Sequence, residues 1–422
     1  MITKTFLHLD FLIAFLGAIC LSAFLYLPYL SLSHFVSVSL HATLAVIGLF
    51  ILISGNRRVL FVFGFFVGIL WFYWISLSLR YYGLVYLIPL GVVGIALLCA
   101  GWFWILGWLP IPLRFVGIFA LEYIHLFDFH YLNLKLPLVQ SLFGASDLVF
   151  LLLLFLLTLF VYPKRIPYPA IENALGQAIC ATALIVLVWA QYGLPASLKS
   201  PLVKAPLDIK LIHGVTNQDE KWQIETFRKR LQEYYAQIEK AIREERDAIV
   251  FPESTFEVPL NLYSSIENKL LEYSHKITVI AGSLYITEAK KYNSTYIFED
   301  GNRQVAHKHI LTPFGEKVPL PTFAVKWINE LFYEGNSDFS AASSYSTYTI
   351  KDIPFTNAIC YEATSSALYK HKPKYIIALS NNAWFTPSVQ PILQHTYLKY
   401  LSKKYGTVIY HSTNLGMTEV IF

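Results

Sequence analysis

The sequence predicts a multi-span α-helical membrane domain followed by an α/β domain. Of the 422 residues, 55% are hydrophobic and only 14% are charged, a composition outside the range of soluble globular proteins. From about residue 207 the long apolar runs give way to short β-like runs and charged helical stretches. We therefore expect a membrane domain over residues 1–193, a linker over 194–206 and a second domain over 207–422.

Seven apolar runs in the first domain approach the roughly 20 residues that cross a bilayer. They cover approximately residues 11–29, 34–54, 60–79, 84–108, 111–127, 148–162 and 174–192. We interpret the first as a retained span, because no small-residue cleavage site follows it. The fifth and sixth are short or carry ionisable residues, namely Arg114, Glu122, His125 and Asp128. The last three of these are either functional, since charge at membrane depth is costly, or interfacial.

Lysine and arginine in short loops predict the orientation of the spans. With the N-terminus inside, the inner loops and span ends hold Lys4, Arg57, Arg58, Arg114, Lys164 and Arg165, whereas the outer loops hold only Arg80 and Lys135. Seven spans from an inside start place the second domain outside the cytoplasm. Aromatic clusters "WFYW" (71–74) and "GWFWILGW" (101–108) fit an interfacial belt, or alternatively a lipid-binding groove.

Charge and cysteine content argue against a nucleic acid partner and against a structural disulfide. The formal net charge of +5 comes without a long basic block, so we expect no nucleic acid partner. Cys360 is the one cysteine of the polar half, so a structural disulfide is not expected there. A lone cysteine in this half is either a buried packing residue or a reactive thiol.

The second domain alternates strand and helix patterns, which favours α/β layers over an all-β domain. The predicted helices cover about residues 219–246, 259–275 and 389–405. The predicted strands are "LDIKLIHGV", "DAIVFPES", "ITVIAGSLYI", "NSTYIFED", "STYTI", "FTNAICYE", "KYIIALSNN" and "TVIYHST".

Three reactive residues each stand beside a short apolar run of this domain: Glu253 in "AIVFPE", Lys308 in "HKHIL" and Cys360 in "TNAIC". Catalytic groups in layered α/β folds lie at such strand ends. Together the three residues suit acyl transfer, with a thiol nucleophile, a carboxylate base and a cation. Lys308 and the backbone amide of Tyr361 would stabilise the oxyanion, and the cation would lower the thiol pKa. Separately, they would be a helix-start carboxylate, a surface lysine and a packing cysteine.

Longer motifs around these residues resemble a known family. "FPES", "KHILTPFGEKVP", "CYE" and "LSNNAWF" look like the nitrilase, or carbon–nitrogen hydrolase, superfamily. "DEKW", "KYNST" and "HSTNLGMTEVI", after a multi-span N-terminal half, are similar to its membrane branch, the apolipoprotein N-acyltransferases. The resemblance implies a nitrilase-like αββα sandwich with a Glu, Lys, Cys triad. It also implies a further strand and a last membrane helix after the "TNLG" region, and we expect both to be missing from the sequence to Phe422.

The resemblance assigns Glu253 as the general base, Lys308 as the oxyanion partner and Cys360 as the nucleophile that carries an acyl thioester. The supporting or substrate-binding residues that it implies are Glu316, Tyr361, Glu362, Trp222 and Asn293. The implied reaction is ping-pong transfer of an acyl chain from a phospholipid to the α-amine of a diacylated lipoprotein, without metal or cofactor. We expect a monomer in the bacterial inner membrane, with its catalytic domain in the periplasm.

Two other functions use the same residues. A membrane-tethered nitrilase-type amidase would let water replace the amine acceptor, and residue types alone do not separate it from a transferase. A noncatalytic lipoprotein-binding or transport protein would carry a vestigial triad. An acyl adduct on Cys360 distinguishes the noncatalytic protein from both the transferase and the amidase.

Overall fold

The chain forms two compact units in the computed structural model, which describes residues 2–30, 33–124, 129–161, 202–221, 223–313, 315–316 and 339–422. A helical unit is drawn mainly from residues before 202, and Pro387–Thr396 groups with it. A sheet unit is drawn mainly from the residues after 201. Each unit has its own buried residues.

Apolar helices build the helical unit. They are α1 (Ile2–Ser22), α2 (His34–Ser54), α3 (Arg57–Phe72), α4 (Ile88–Leu106), α5 (Ile111–Ala120), α6 (Leu142–Ala145) and α7 (Asp147–Val161). Among the described residues, four stretches are long and apolar enough to cross a membrane: His8–Leu25, Val36–Ser54, Arg57–Tyr81 and Val85–Leu106. The third includes a 3-10 helix, Tyr73–Tyr82, that continues from α3. The first four predicted spans are therefore apolar helices of membrane-crossing length.

The later predicted spans differ from this pattern. Helix α5 has 10 residues and α7 has 15, both short of the roughly 20 that a perpendicular span needs. The seventh predicted span, residues 174–192, lies outside the described part of the chain, as do His125 and Asp128.

Lys135 is the centre of an ionic cluster in the helical unit. It was expected in an outer loop, yet its side chain is 1% exposed and forms ion pairs with Glu122 and Asp147. Its ammonium also lies 5.0 Å and 5.5 Å from the ring centroids of Phe119 and Phe150. A buried cation is tolerated where it is paired in this way. Glu122 is thus an ion-pair partner of Lys135.

The interfacial-belt interpretation is wrong for the "WFYW" cluster. Trp71 is fully buried and Trp74 is nearly so. Both indole N–H groups donate to protein oxygens, Trp71 to Ser22 Oγ at 2.9 Å and Trp74 to the Trp71 carbonyl at 2.7 Å. These rings pack between helices. In the second cluster, Trp104 and Trp108 are exposed, as a lipid-facing belt requires.

Two sheets form the centre of the sheet unit. Sheet A runs β1-β2-β4-β5-β6, with β3 also paired to β4, and sheet B runs β11-β10-β9-β8-β7. The strands of sheet A are β1 (Ile209–Leu211), β2 (Ala248–Val250), β3 (Phe256–Pro259), β4 (Thr278–Ile286), β5 (Lys291–Glu299) and β6 (Asn302–His307). Those of sheet B are β7 (Thr347–Ile350), β8 (Ile353–Ile359), β9 (Tyr375–Asn381), β10 (Val408–Asn414) and β11 (Glu419–Ile421).

Helices connect the parallel strands of each sheet. They are α8 (Gln218–Lys221), α9 (Ile224–Arg243), α10 (Ser264–Ser274) and α11 (Gln390–Tyr405). Strands β1, β2 and β4 are parallel, as are β8, β9 and β10. Parallel neighbours need crossover connections, which lie on a face of the sheet. The single predicted helix over 219–246 is two helices, α8 and α9.

The two faces of sheet A belong to different cores. Val250, Ile280 and Ile297 pack in one core with residues of sheet B such as Phe355 and Ile377. Their neighbours of opposite parity pack in a second core with residues of α9 and α10; among them are Ile249, Val279 and Phe298. Because side chains alternate along a strand, one face of sheet A meets sheet B and the other meets helices. With α11 crossing between β9 and β10, the layers are helix, sheet, sheet, helix, which confirms the predicted αββα sandwich.

Candidate active site

The site lies where strands from both sheets end. Glu253 follows β2, Lys308 directly follows β6 and Cys360 directly follows β8. A strand fixes the backbone up to its last residue, so the next side chain is held but remains free to face a cleft. The apolar runs before Glu253 and Cys360 in the sequence are therefore strands, whereas the strand before Lys308 is the mostly polar "NRQVAH". Glu253 and Lys308 come from sheet A, and Cys360 comes from sheet B.

Glu253 is held on both of its carboxylate oxygens. Oε1 accepts from Asn293 Nδ2 and Oε2 accepts from the backbone N–H of Asn381, each at 2.8 Å. The side chain is 6% exposed. Ser254, the next residue, has φ of +52°, a left-handed conformation that is costly for a residue with a side chain. The helix-start interpretation of Glu253 is wrong, because a turn and then β3 follow it.

Gly282 on β4 makes room for this turn. A Cβ atom at Gly282 would lie 2.6 Å from Glu253 Cα and 2.7 Å from Ser254 N. Both are backbone atoms, which have little freedom to move away. Glycine is therefore required here by the close approach of two backbone segments.

Cys360 is a partly exposed residue at a sharp turn of the chain. Its φ of +53° turns the chain sharply at the end of β8, and a short 3-10 helix, Cys360–Thr364, follows. The thiol donates to the Glu253 carboxylate. The backbone N–H of Asn381 donates to the Cys360 sulfur. Cys20, Cys99 and Cys360 are all free cysteines.

Lys308 is not a surface lysine. Its side chain is 1% exposed, and Nζ lies 2.6 Å from Glu316 Oε2 and 3.2 Å from Thr312 Oγ1. Its backbone N–H donates to the Asn293 carbonyl at 2.9 Å. The ammonium is thus fixed by a charged and a neutral acceptor.

Asn293 joins the two acidic residues of the site. Its Nδ2 donates to Glu253 Oε1 at 2.8 Å and to Glu316 Oε1 at 2.7 Å. Glu316 also accepts from the backbone N–H of Thr312 at 2.9 Å through Oε2. The amide therefore holds two carboxylates near each other, with the Lys308 ammonium on Glu316.

The environment shifts the two carboxyl groups in opposite directions. Burial raises the pKa of Glu253, against the opposing charge of Lys308. For Glu316, burial also favours a higher pKa, but the Lys308 charge and the Asn293 hydrogen bond outweigh it and lower the pKa. A pair of acids with separated pKa values suits two roles. Glu316 remains ionised beside the lysine, and Glu253 is the stronger base.

The expected effect of Lys308, which is to lower the thiol pKa, is confirmed in direction, but burial outweighs it. Burial raises the pKa of Cys360, and the negative charges of Glu253 and Glu316 raise it further, whereas Lys308 lowers it. Burial also works to lower the pKa of Lys308, yet Glu316 and Glu253 raise it overall. The depth of burial was not visible in the sequence. Cys360 therefore rests as a thiol, which would need a base before it could act as a nucleophile.

Glu362 connects the lysine loop to the nucleophile strand. Oε1 accepts from the backbone N–H groups of His309 at 2.8 Å and Ile310 at 3.2 Å, and Oε2 accepts from Ile359 at 3.0 Å. The side chain is 1% exposed, and burial raises its pKa. Glu362 thus holds backbone next to Lys308 and next to Cys360. Tyr361 is buried beside it.

Of the other residues that the family resemblance implied, two contact the site and one lies outside the described residues. Asn293 and Glu316 contact the site directly, whereas Trp222 lies outside the described residues. Asn381 was not among the predicted site residues, yet its backbone N–H reaches both the Glu253 carboxylate and the Cys360 sulfur. Its only signal was its place at the end of the predicted strand "KYIIALSNN", beside the motif "NNAWF".

The membrane half matches a known family model. Residues 8–175 match the apolipoprotein N-acyltransferase integral membrane domain. With four helices long and apolar enough to cross a membrane among the described residues, this is a multi-pass membrane protein. Its resemblance to this family, seen first in short motifs, is thereby confirmed over the N-terminal half.

Relatives with the same name cover nearly the whole chain. The apolipoprotein N-acyltransferase of Wolinella succinogenes is 36% identical over 412 residues, which are 97% of this chain and 95% of that one. The one of Helicobacter hepaticus is 38% identical over 391 residues, 89% of this chain and 93% of that one. A CN-hydrolase superfamily protein from Xanthomonas campestris is similar in structure, with a TM-score of 0.38 and 13% identity over 52% of this chain and 80% of that one. By its relatives, the chain belongs to the apolipoprotein N-acyltransferase family.

Proposed function

We propose that this protein transfers a fatty acyl chain from a membrane phospholipid to the N-terminal α-amine of S-diacylglyceryl-cysteine lipoproteins. The transfer passes through a thioester on Cys360. The observation that carries the proposal is the hydrogen bond from the Cys360 thiol to Glu253, next to the buried Lys308 ammonium. A nucleophile, a base and a cation at one point are what acyl transfer needs.

In the first half-reaction, the Cys360 sulfur attacks the carbonyl carbon of a phospholipid ester. Glu253 accepts the thiol proton as the S–C bond forms, and the carbonyl oxygen becomes an oxyanion. The C–O bond to glycerol then breaks, and the glycerol oxygen takes the proton from Glu253. A lysophospholipid leaves, and the acyl chain remains on sulfur as a thioester.

Lys308 is suited to stabilise the oxyanion. Within the described residues, Glu316 and Thr312 are the side chains that accept from its Nζ, which leaves one of three N–H groups for the substrate oxygen. The backbone N–H of Tyr361, directly after the nucleophile, would supply a second donor. A preorganised donor of this kind contributes about a hundredfold or more to the rate.

In the second half-reaction, the lipoprotein α-amine attacks the thioester carbonyl. The amine nitrogen gives a proton to Glu253 as the N–C bond forms. The C–S bond then breaks, and the Cys360 thiolate takes the proton back, so the free enzyme is regenerated. Water competes with the amine, and a site lined by lipid chains would favour aminolysis over hydrolysis.

An adduct experiment tests the proposal. The full-length protein in detergent is incubated with phospholipid alone, and intact-mass and peptide mass spectrometry locate an acyl group. We expect one acyl chain on Cys360, released by hydroxylamine as a thioester. The Cys360→Ser variant should give no thioester, and Cys99→Ser serves as the matched control that keeps the adduct. Wild-type protein without an adduct would contradict the proposal.

The amidase alternative is separated by the acceptor. Labelled phospholipid is added with a diacylated lipopeptide that has a free α-amine. N-acylated peptide supports the transferase, whereas release of free fatty acid without acylated peptide would support a hydrolase. The same peptide with a blocked α-amine is the control, and it should stay unmodified.

The proposed location is the bacterial inner membrane, with the sheet unit in the periplasm. The distribution of lysine and arginine in the loops supports it. Both substrates are anchored in the outer leaflet of that membrane. A reporter fused after residue 200 should be active only if exported, and a reporter active only in the cytoplasm would contradict this orientation.

A further inference from the structure

Helix α8 contacts the Glu253 region from two sides. At its first residue, Gln218 Oε1 accepts from Asn381 Nδ2 at 3.1 Å, and Asn381 in turn donates its backbone N–H to Glu253 Oε2. At its last residue, Lys221 Nζ donates to the Ser254 carbonyl at 3.0 Å and lies 3.5 Å from the Glu253 carbonyl. One short helix therefore holds both the backbone of the base and the donor that fixes its carboxylate.

Lys221 is buried to a degree that is unusual for a lysine. It is 5% exposed, and its ammonium binds a turn in which Ser254 has the left-handed φ of +52°. Charge-assisted hydrogen bonds to carbonyl groups are stronger than neutral ones. The ammonium therefore offsets part of the cost of holding this turn in a strained conformation.

Two other charged side chains face Lys221. Glu257 is 11% exposed and lies 3.3 Å from Arg230 Nε. Arg230 donates to the carbonyls of Glu220 at 2.9 Å and Lys221 at 3.3 Å, so it fixes the end of α8. Burial lowers the pKa of Lys221 to about 8, with Glu257 and Glu253 acting to raise it and Arg230 to lower it. At neutral pH the ammonium is the dominant form.

We propose that Lys221 is a positioning residue for Glu253, which it serves by holding the Glu253–Ser254 backbone and by favouring the ionised carboxylate. This inference rests on the proposed function, in which Glu253 is the general base. A neutral donor would hold the same backbone carbonyls, but more weakly. The charge adds a second effect, because a cation near a carboxylate lowers the carboxylate pKa.

The test uses full-length protein and the rate of acyl-adduct formation on Cys360 as a function of pH. Lys221→Met removes the charge and the donor while keeping a similar length. Lys210→Met is the matched control, because Lys210 lies in the same unit and its ion-pair partner, at 2.9 Å, is Glu244, which is not a residue of the site. Lys221→Arg keeps both charge and donors.

We expect Lys221→Met to form the adduct about tenfold more slowly, and the acidic limb of its pH profile to move to higher pH by about half a unit or more. Lys210→Met should match wild type in rate and in the position of the limb. Lys221→Arg should keep the wild-type limb even if its rate falls. A loss of packing alone would lower the rate without moving the limb.

Unchanged rate and limb in Lys221→Met would overturn the inference. If this variant does not fold, Lys221→Gln replaces it, and an unshifted limb there is equally contradictory. If wild-type protein forms no adduct at all, the proposed function fails rather than the role of Lys221.

Discussion

The Lys308 ammonium lies 2.6 Å from Glu316 Oε2, so the cation of the site is paired with the acid that is not the base. This pairing leaves Glu253 free to accept a proton, because Lys308 is bound to another carboxylate. Asn293 keeps the two acids near each other without merging their roles.

This pair predicts unequal effects of two substitutions. Lys308→Ala should lower turnover by at least about a hundredfold, the usual scale for an oxyanion donor. Glu316→Gln keeps the shape of the acid and removes its charge, so Lys308 would move toward Glu253 and lower the pKa of the base. We expect a slower transfer reaction whose acidic limb shifts to lower pH. Steady-state transfer rates measured from about pH 5 to about pH 9 would give both the turnover and the position of the acidic limb. Near-normal turnover in Lys308→Ala would contradict its role.

Glu253 and Lys308 should move the thiol pKa in opposite directions. The Glu253 charge raises the pKa of Cys360 and the Lys308 charge lowers it. Glu253→Ala should therefore lower the thiol pKa, and Lys308→Ala should raise it. Both variants should nevertheless lose at least about a hundredfold in turnover, because a base or an oxyanion donor is missing.

Thiolate absorbance in the ultraviolet, taken as a difference against Cys360→Ser, would measure these pKa values. A Glu253→Ala variant with a higher thiol pKa than wild type would contradict the geometry of the pair.

Gly282→Ala should disturb the site through the backbone of Glu253. Its new Cβ would meet the backbone of Glu253 and Ser254 at 2.6 Å and 2.7 Å, so the turn must shift. We expect turnover to fall at least about tenfold, since small displacements of a catalytic group are costly, and stability to fall by about 1–3 kcal/mol. Gly94→Ala is the control, because a Cβ there meets no atom within 4 Å. Transfer assays and thermal unfolding would compare the two variants.

Glu362→Gln should destabilise the sheet unit. The carboxylate accepts three backbone N–H groups, and an amide would point its own N–H groups at one or more of them. A buried donor left without an acceptor costs about 1–3 kcal/mol, so we expect a loss of that order in unfolding free energy. Glu272→Gln, at a surface carboxylate paired with Lys269, should change nothing measurable. Equal stability of both variants would exclude this role for Glu362.

The places of Glu253 and Cys360 were predictable because each follows a strand that the sequence shows as an apolar run, whereas the strand before Lys308 is the mostly polar "NRQVAH" and was not predicted. Val250, His307 and Ile359 end the strands that precede Glu253, Lys308 and Cys360. Long apolar helices were equally visible from composition and length. Local sequence carries this information because hydrophobic runs and breaks are local properties.

Other features depend on distant parts of the chain. The contacts of Asn381 come from a backbone N–H, which leaves no mark on residue type. The burial of Trp71 depends on which face of α3 meets α1, and "WFYW" does not encode that. The net rise of the Cys360 pKa depends on depth of burial, which only the packed fold defines.

The origin of the site residues in two different sheets has a consequence for the newly made chain. Glu253, Asn293 and Lys308 belong to one sheet, and Cys360 and Asn381 to the other. In a nascent chain in which only the first sheet has folded, Glu253 is in place but Cys360 is not. Glu253, Lys308 and Cys360 therefore come together only after the second sheet has formed and packed on the first.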